Sequence, residues 1–436
     1  MLRSTPSSVA SENPTPCRFV AVKNYRSIEW AATALPNLSI FTGRNGSGKS
    51  NFVDAFRFLR QSLTSSLETA VRDRQGIDRV RRHSKSHPYN FGMRIELDLN
   101  KMRRYHADDT RFGAYSFEVS SGANSTFIVN REQLILRDDN GKLKAGFDRR
   151  KSAVKFYGDK RYSPRFVFNN QEAPSVASDS LLMTSLGLYS TYHPVMQLLS
   201  SIEIFSIDPT AIRAYQSHDP GDLLTADGAN LASVIKRIRR EKNESAIRFI
   251  MKYIKSISPS VQDFGCETSG ASDVLYLNIG AVDGNGVFKL YPSNISDGTL
   301  RALAILVALS TKPNRFVGAP RLMVIEEPEI ALHPGAATVL MDAIAATLGR
   351  NQIIVTTHSP PLLDHPSIRA DSLFGITMIN GQTIVHGIDK AAHEALTESL
   401  FTAGELLQKE KLLPQFFDPK DKPARENMFS TMLHSV

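Results

Sequence analysis

The chain has 436 residues, 42% of them hydrophobic, enough to bury a full core, and no run approaches the roughly 18 apolar residues that a membrane span needs. Its 52 Lys and Arg against 44 Asp and Glu leave a net charge of +8, a modest bias toward acidic partners. The two cysteines, Cys17 and Cys266, stand far apart, which excludes a disulfide framework and a cysteine metal site and fits a reducing cytoplasm.

Residues 1–17 are rich in Ser, Thr and Pro and carry no apolar stretch, so they read as a disordered tail rather than a signal peptide. The segment 37–42 reads as a short buried strand, and Phe52, Val53, Phe56 and Leu59 predict a helix over 50–62. Between them lies GRNGSGKS at 43–50. Gly43, Gly46 and Gly48 let the backbone curl with its N–H groups inward, an anion cradle at a helix N-terminus. Lys49 is expected to reach the β- and γ-phosphates of ATP, and the Ser50 hydroxyl to ligate Mg²⁺. Asn45 within the loop and Asn51 just after it join the expected nucleotide contacts.

Arg72, Arg74, Arg79, Arg81, Arg82 and Lys85 then crowd one segment. From Phe91 to about Phe168 short alternating runs separated by Gly, Asn and Asp predict an antiparallel sheet. Residues 176–260 look mainly helical, with helices over 179–201 and 229–257 ahead of Pro259. The second helix carries another basic cluster, Lys236, Arg237, Arg239, Arg240 and Lys242. Each cluster could track a phosphate backbone or form an ion-paired, solvated face; neither has the interleaved aromatics of a single-strand binder. No heptad run is present, so a long coiled arm is not expected.

After Asp273 the strand pattern returns, and SDGTLRALAIL (296–306) opens a helix over 300–310 with Ser296 and Gly298 at its start. That is a second anion-binding helix end. On its own it reads as an ordinary N-cap; with the other motifs, since a single ATP does not need two such ends, it is expected to cap the γ-phosphate held by a second copy of the chain. Leu322 to Ile325 form an apolar strand that delivers Glu326 and Glu327 to its carboxyl end, where ligands of open α/β sheets collect. Glu326 would hold Mg²⁺ and Glu327 would orient the attacking water. A third strand, 352–356, ends at His358, whose neutral imidazole can serve beside the γ-phosphate. A hairpin over 373–386, a helix over 391–409 and a charged tail complete the chain.

This set resembles the SMC/RecF-type branch of the ABC ATPases, and within it the standalone ATPases related to RecF and the overcoming-lysogenization-defect (OLD) proteins of bacterial phage-defence and repair modules. The matching stretches include FVAVKNYRSIE (19–29), GRNGSGKSNFVDAFRFL (43–59), FSIDPTAIR (205–213), ISDGTLRALAILVAL (295–309), RLMVIEEPEIALHP (321–334), IIVTTHSPPLLD (353–364) and LFTAGELL (400–407). The resemblance implies an α/β ABC-type head with a P-loop core sheet, an antiparallel β side lobe and a helical insertion lobe. It implies that Glu327 is the catalytic glutamate, Ser296 and Gly298 the signature acting on a partner's ATP, His358 the switch histidine, and Arg26 an arginine that reaches the nucleotide. Glu326 stands where the family has Asp, and His333 where transporters usually have Asp. Gln75 and Gln171 are the candidates for a glutamine-loop residue.

The expected division is 18–175 for the first half of the head, 176–270 for the helical lobe, 271–390 for the second half, and 391–436 for a C-terminal helix and tail. A fused nuclease of the TOPRIM type is not expected. Two roles follow: a head-to-head dimeric sensor that controls a separate nuclease or toxin effector in phage defence, or a RecF-like repair ATPase that clamps DNA. No membrane partner is expected.

Overall fold

The computed structural model describes residues 15–83, 89–100, 110–122, 126–158, 176–214, 216–280, 286–311, 321–415 and 428–429. Lys85 and Gln171, together with most of the N-terminal tail, lie outside the described residues. In chain order the strands are β1 (Cys17–Tyr25), β2 (Ile28–Ala34), β3 (Leu38–Thr42), β4 (Phe91–Asp98), β5 (Thr110–Ser121), β6 (Phe127–Asp138), β7 (Leu143–Arg150), β8 (Ala153–Gly158) and β9 (Glu203–Phe205). They continue as β10 (Gln216–Ser217), β11 (Val261–Ser269), β12 (Ser272–Gly280), β13 (Val287–Leu290), β14 (Arg321–Glu326), β15 (Asn351–Thr357), β16 (Leu373–Ile379) and β17 (Gln382–Gly387).

One 13-stranded sheet runs β8-β7-β6-β5-β4-β1-β2-β17-β16-β3-β15-β14-β9. Its core, β16 to β9, is parallel, and every residue of β3 and β15 is buried, as expected of strands covered on both faces. Successive side chains of β14 alternate between two apolar clusters. Leu322 and Val324 pack with Phe52 and Phe56 of the helix Lys49–Thr64, while Met323 and Ile325 pack with Leu303 and Leu306 of the helix Asp297–Ser310.

The antiparallel strands β4 to β8 form the side lobe the alternation predicts, and they are hydrogen-bonded through β1 and β2 into the core sheet rather than standing apart. Alternation reveals a strand's faces but not its neighbour at the edge. The helix expected over 179–201 is two, Leu182–Leu186 and His193–Ser200, and β9 follows directly. The helix expected over 229–257 is also two, Leu231–Arg240 and Glu244–Ile257. It breaks at Lys242, which is left-handed (φ 50°), and Asn243 caps the second half by accepting from the Ala246 N–H. These helices pack on a small antiparallel sheet of β10 to β13. Beyond β17, Lys390–Thr397 and Ala403–Gln408 replace the single helix expected over 391–409, with left-handed Ser399 between them. No helix among the described residues is long and apolar enough to cross a membrane.

Candidate functional site

The phosphate loop joins β3 to the helix Lys49–Thr64 at the carboxyl end of the parallel strands. Gly48 is left-handed (φ 105°), and a Cβ there would strike the Thr383 side chain; a Cβ at Gly43 would strike the Ile376 carbonyl. The β16–β17 hairpin therefore backs the loop closely. Gly46 (φ 77°) has open space around it, and Asn45 and Ser50 are exposed beside it. A hydrogen-bond chain locks the rear of the loop: Asn51 Nδ2 donates to Ser27 Oγ (2.6 Å), Ser27 Oγ and Thr383 Oγ1 lie 2.7 Å apart, and Thr383 Oγ1 donates to Ser47 O (3.1 Å).

Lys49 is only 6% exposed. Its Nζ donates to Gly43 O (2.8 Å) and Arg44 O (3.2 Å) and lies 3.7 Å from Glu327 Oε1. Burial draws the ammonium below the usual lysine pKa, and the Glu327 charge opposes that. Arg26, itself left-handed (φ 48°), turns toward Asp54 (2.9 Å) and reaches Asn51 Oδ1 with a long hydrogen bond (3.4 Å). Asp54 is a buried hub: Arg74 Nε and Nη2 grip its two oxygens at 2.9 and 2.8 Å, and the Tyr25 hydroxyl donates to it at 2.6 Å. Burial would raise its pKa, but those hydrogen bonds and the arginine charges hold it below the ordinary aspartate value.

At the end of β14 the chain turns left-handed at Glu327 (φ 44°), whose N–H still reaches Thr356 O (2.9 Å). The turn sends its carboxylate across the strand ends toward Lys49 and to 3.4 Å from His358 Nδ1. Glu326 Oε1 accepts from Arg57 Nη2 at 2.8 Å. Burial pushes its pKa up and Arg57 pulls it back. Glu329 is buried; its Oε1 accepts from the Thr357 hydroxyl (2.5 Å) and the His358 N–H (3.2 Å).

The Ser296 side chain caps the helix Asp297–Ser310 through Thr299 N (3.2 Å), and it is exposed. Gly298 is buried where a Cβ would strike the Ala331 carbonyl, so the turn is wedged against the loop that follows Glu327. Arg213 secures the approach, pairing with Asp297 (2.6 Å) and donating to Ile295 O (2.7 Å). His333 caps the helix Pro334–Ala345. Gln75 sits in an exposed left-handed turn (φ 65°).

The structure thus brings Lys49, Glu327 and His358 together, places Ser50, Asn45 and Gly46 at the open face of the loop, and leaves Ser296 on the surface. Arg57, Glu329 and Thr383 hold this group in place. Only Glu329, as part of the IEEPE run, carries any local sequence signal. Three residues of each basic cluster are seen in ion pairs. Arg74 is buried with Asp54, Arg81 pairs with Asp78, Arg82 with Glu29, Lys236 with Asp273, Arg237 with Asp222 and Glu241, and Arg239 with Asp263.

Residues 38–364 match the family described as "AAA domain, putative AbiEii toxin, Type IV TA system". An SMC head bound to the C-terminal winged-helix domain of ScpA is 14% identical, aligns over 87% of this chain and 99% of its own, and has a TM-score of 0.52. The Smc head domain with coiled coil and joint from Pyrococcus yayanosii is 11% identical over 88% of this chain and 100% of its own, with a TM-score of 0.47. No curated protein matches the chain. With a family match over well over half its length and a phosphate loop whose Lys49 faces Glu327, the chain belongs to this AAA-domain family and is a P-loop ATPase built on the fold of an SMC head.

Proposed function

We propose that the protein works as a head-to-head dimer in which the 296–299 turn of one copy closes on ATP held by the phosphate loop of the other, and that this cycle controls a separate nuclease or toxin effector in anti-phage defence. One observation carries the dimer. Lys49, Glu327 and His358 converge in one chain, whereas the Ser296 hydroxyl faces outward and bonds only with Thr299 among the described residues. The effector reading draws support from the family description, which names a toxin of a toxin–antitoxin system, and from the SMC head that carries a domain of a partner protein. The DNA-clamping alternative draws less support from the basic clusters, because Lys236 and Arg239 are engaged by Asp273 and Asp263.

In this reading Lys49 leaves the Gly43 and Arg44 carbonyls for phosphate oxygens. Glu327 accepts a proton from the attacking water, and His358, held by Glu329, sits beside it as the element that responds to the γ-phosphate. The exposed Ser50 hydroxyl and the Glu326 carboxylate are hard oxygen donors that suit Mg²⁺ completed by substrate phosphates and water. When bound, Mg²⁺ would neutralise charge on the phosphates. Arg57, which already holds one Glu326 oxygen, would keep that longer side chain aimed.

The deciding measurement is the mass of purified Glu327→Gln protein with and without ATP, together with co-purification of the products of neighbouring genes. Doubling of the mass on ATP, lost in Glu327→Gln/Ser296→Arg, supports the sandwich. A monomer with ATP bound refutes it.

A further inference from the structure

Arg44, the second residue of the phosphate loop, pairs with Glu410, a residue more than 360 positions away in sequence. Glu410 is not on a loose tail. It follows the helix Ala403–Gln408, with its N–H on Leu407 O (2.9 Å) and that of Lys411 on Leu406 O (2.8 Å). It sits in the left-handed region (φ 58°), an uncommon state for a glutamate. On its far side the chain is stitched to the hairpin: Asp389 N donates to Leu413 O (3.0 Å), Gln415 N donates to Gly387 O (2.8 Å), and Gly375 passes so close to Pro414 that no Cβ would fit. At the helix start, Gly404 N donates to Asp364 Oδ1 (2.6 Å), in the segment just after His358. A rigid frame therefore presents a carboxylate to the loop that must accept phosphates.

We propose that Glu410 is an internal anion competing with ATP for the phosphate loop, and that Arg44 is a nucleotide-contacting residue it holds in reserve. This rests on the reading of the loop as an ATP site. Both side chains are more than half exposed (74% and 58%), so a polyanionic triphosphate can take Arg44 without uncovering buried charge. Lys49 shows the same self-satisfied arrangement, bonded to the carbonyl of that very arginine. Displacement of Glu410 would remove the tie between the loop and the middle of the 403–415 segment, so ATP occupancy is reported to the C-terminal helix from the loop as well as from the His358 side.

The test is calorimetric ATP binding to the full chain and to Glu410→Gln, Arg44→Gln and the double variant, with Lys49→Ala as the binding-dead reference. Glu410→Gln should tighten ATP about three- to fivefold, Arg44→Gln should weaken it by a similar factor, and Glu410→Gln should gain less in the Arg44→Gln background. Unchanged or weaker ATP binding by Glu410→Gln overturns the proposal. If the unaltered chain binds no ATP, the ATP-site reading fails instead.

Discussion

Glu329 Oε1 holds the backbone N–H of His358 at 3.2 Å while also taking the Thr357 hydroxyl, so one buried carboxylate sets where β15 ends and where the imidazole begins. The contact links the turn after β14 to the end of β15. Glu329→Ala should lower kcat for ATP roughly 10- to 100-fold with little change in KM, because it displaces His358 without touching the phosphate loop. Steady-state ATPase kinetics check this; a change confined to KM would contradict it.

Glu327 lies within reach of both Lys49 and His358, the place for a group that takes a proton from water. Glu327→Gln should keep ATP affinity and lose about 10²- to 10⁴-fold in turnover. Lys49→Ala should abolish nucleotide binding. Normal turnover by Glu327→Gln, measured by phosphate release, would remove Glu327 from the mechanism.

Asp54 and Arg74 form a buried pair with two gripping hydrogen bonds, and removing either partner leaves the other charge buried. Arg74→Ala should cost about 1.5–3 kcal/mol in denaturant unfolding, less than a fully orphaned buried charge because Arg26 and Tyr25 still hold Asp54. The pH dependence follows from the lowered Asp54 pKa. Stability from this pair is fully present above the unfolded aspartate pKa of about 3.9 and is lost as pH falls through the lower folded value. Unfolding midpoints from pH 6 down to about 2 should fall less steeply in Asp54→Asn than in the native chain, where Glu118 and Asp273 add their own acid-dependent loss.

Gln352, fully buried on β15, accepts from the Cys17 N–H (2.8 Å) and donates to Cys17 O (2.7 Å), with Leu35 O and Pro36 O at 3.1 Å. It ties the start of β1 to the centre of the sheet. Gln352→Leu strands the Cys17 amide and should cost roughly 3 kcal/mol, read as a lower denaturation midpoint with an unchanged slope.

Much of the core was legible because β3, β14 and β15 are short apolar runs, and the residues that follow them meet at one end of the sheet. A glycine loop with Lys49 follows the first, a pair of glutamates the second and a histidine the third. The helix Lys49–Thr64 was equally plain from Phe52, Val53, Phe56 and Leu59. What stayed hidden is long-range. Nothing near Arg57 announces Glu326, and nothing near Thr383 announces that it fills the space behind Gly48. The three residues of β9 are too few to show alternation, and their place is fixed by Arg321 on the neighbouring strand, 3.0 Å from Glu203. The basic clusters left two readings open for the same reason: several of their acids, Asp54, Glu29 and Asp273 among them, come from other parts of the fold.

The β16–β17 hairpin lies between β2 and β3, two strands that follow one another in sequence. The amino-terminal phosphate loop is therefore synthesised early yet cannot acquire its backing until about residue 387 has left the ribosome. Closure over such a separation is slow, so newly made chains pass through a period with the loop unsupported and Phe41 uncovered on the side where Phe374 will stack at 4.7 Å. The backing of the phosphate loop is thus a contact that a nascent chain can form only long after the loop itself has been made.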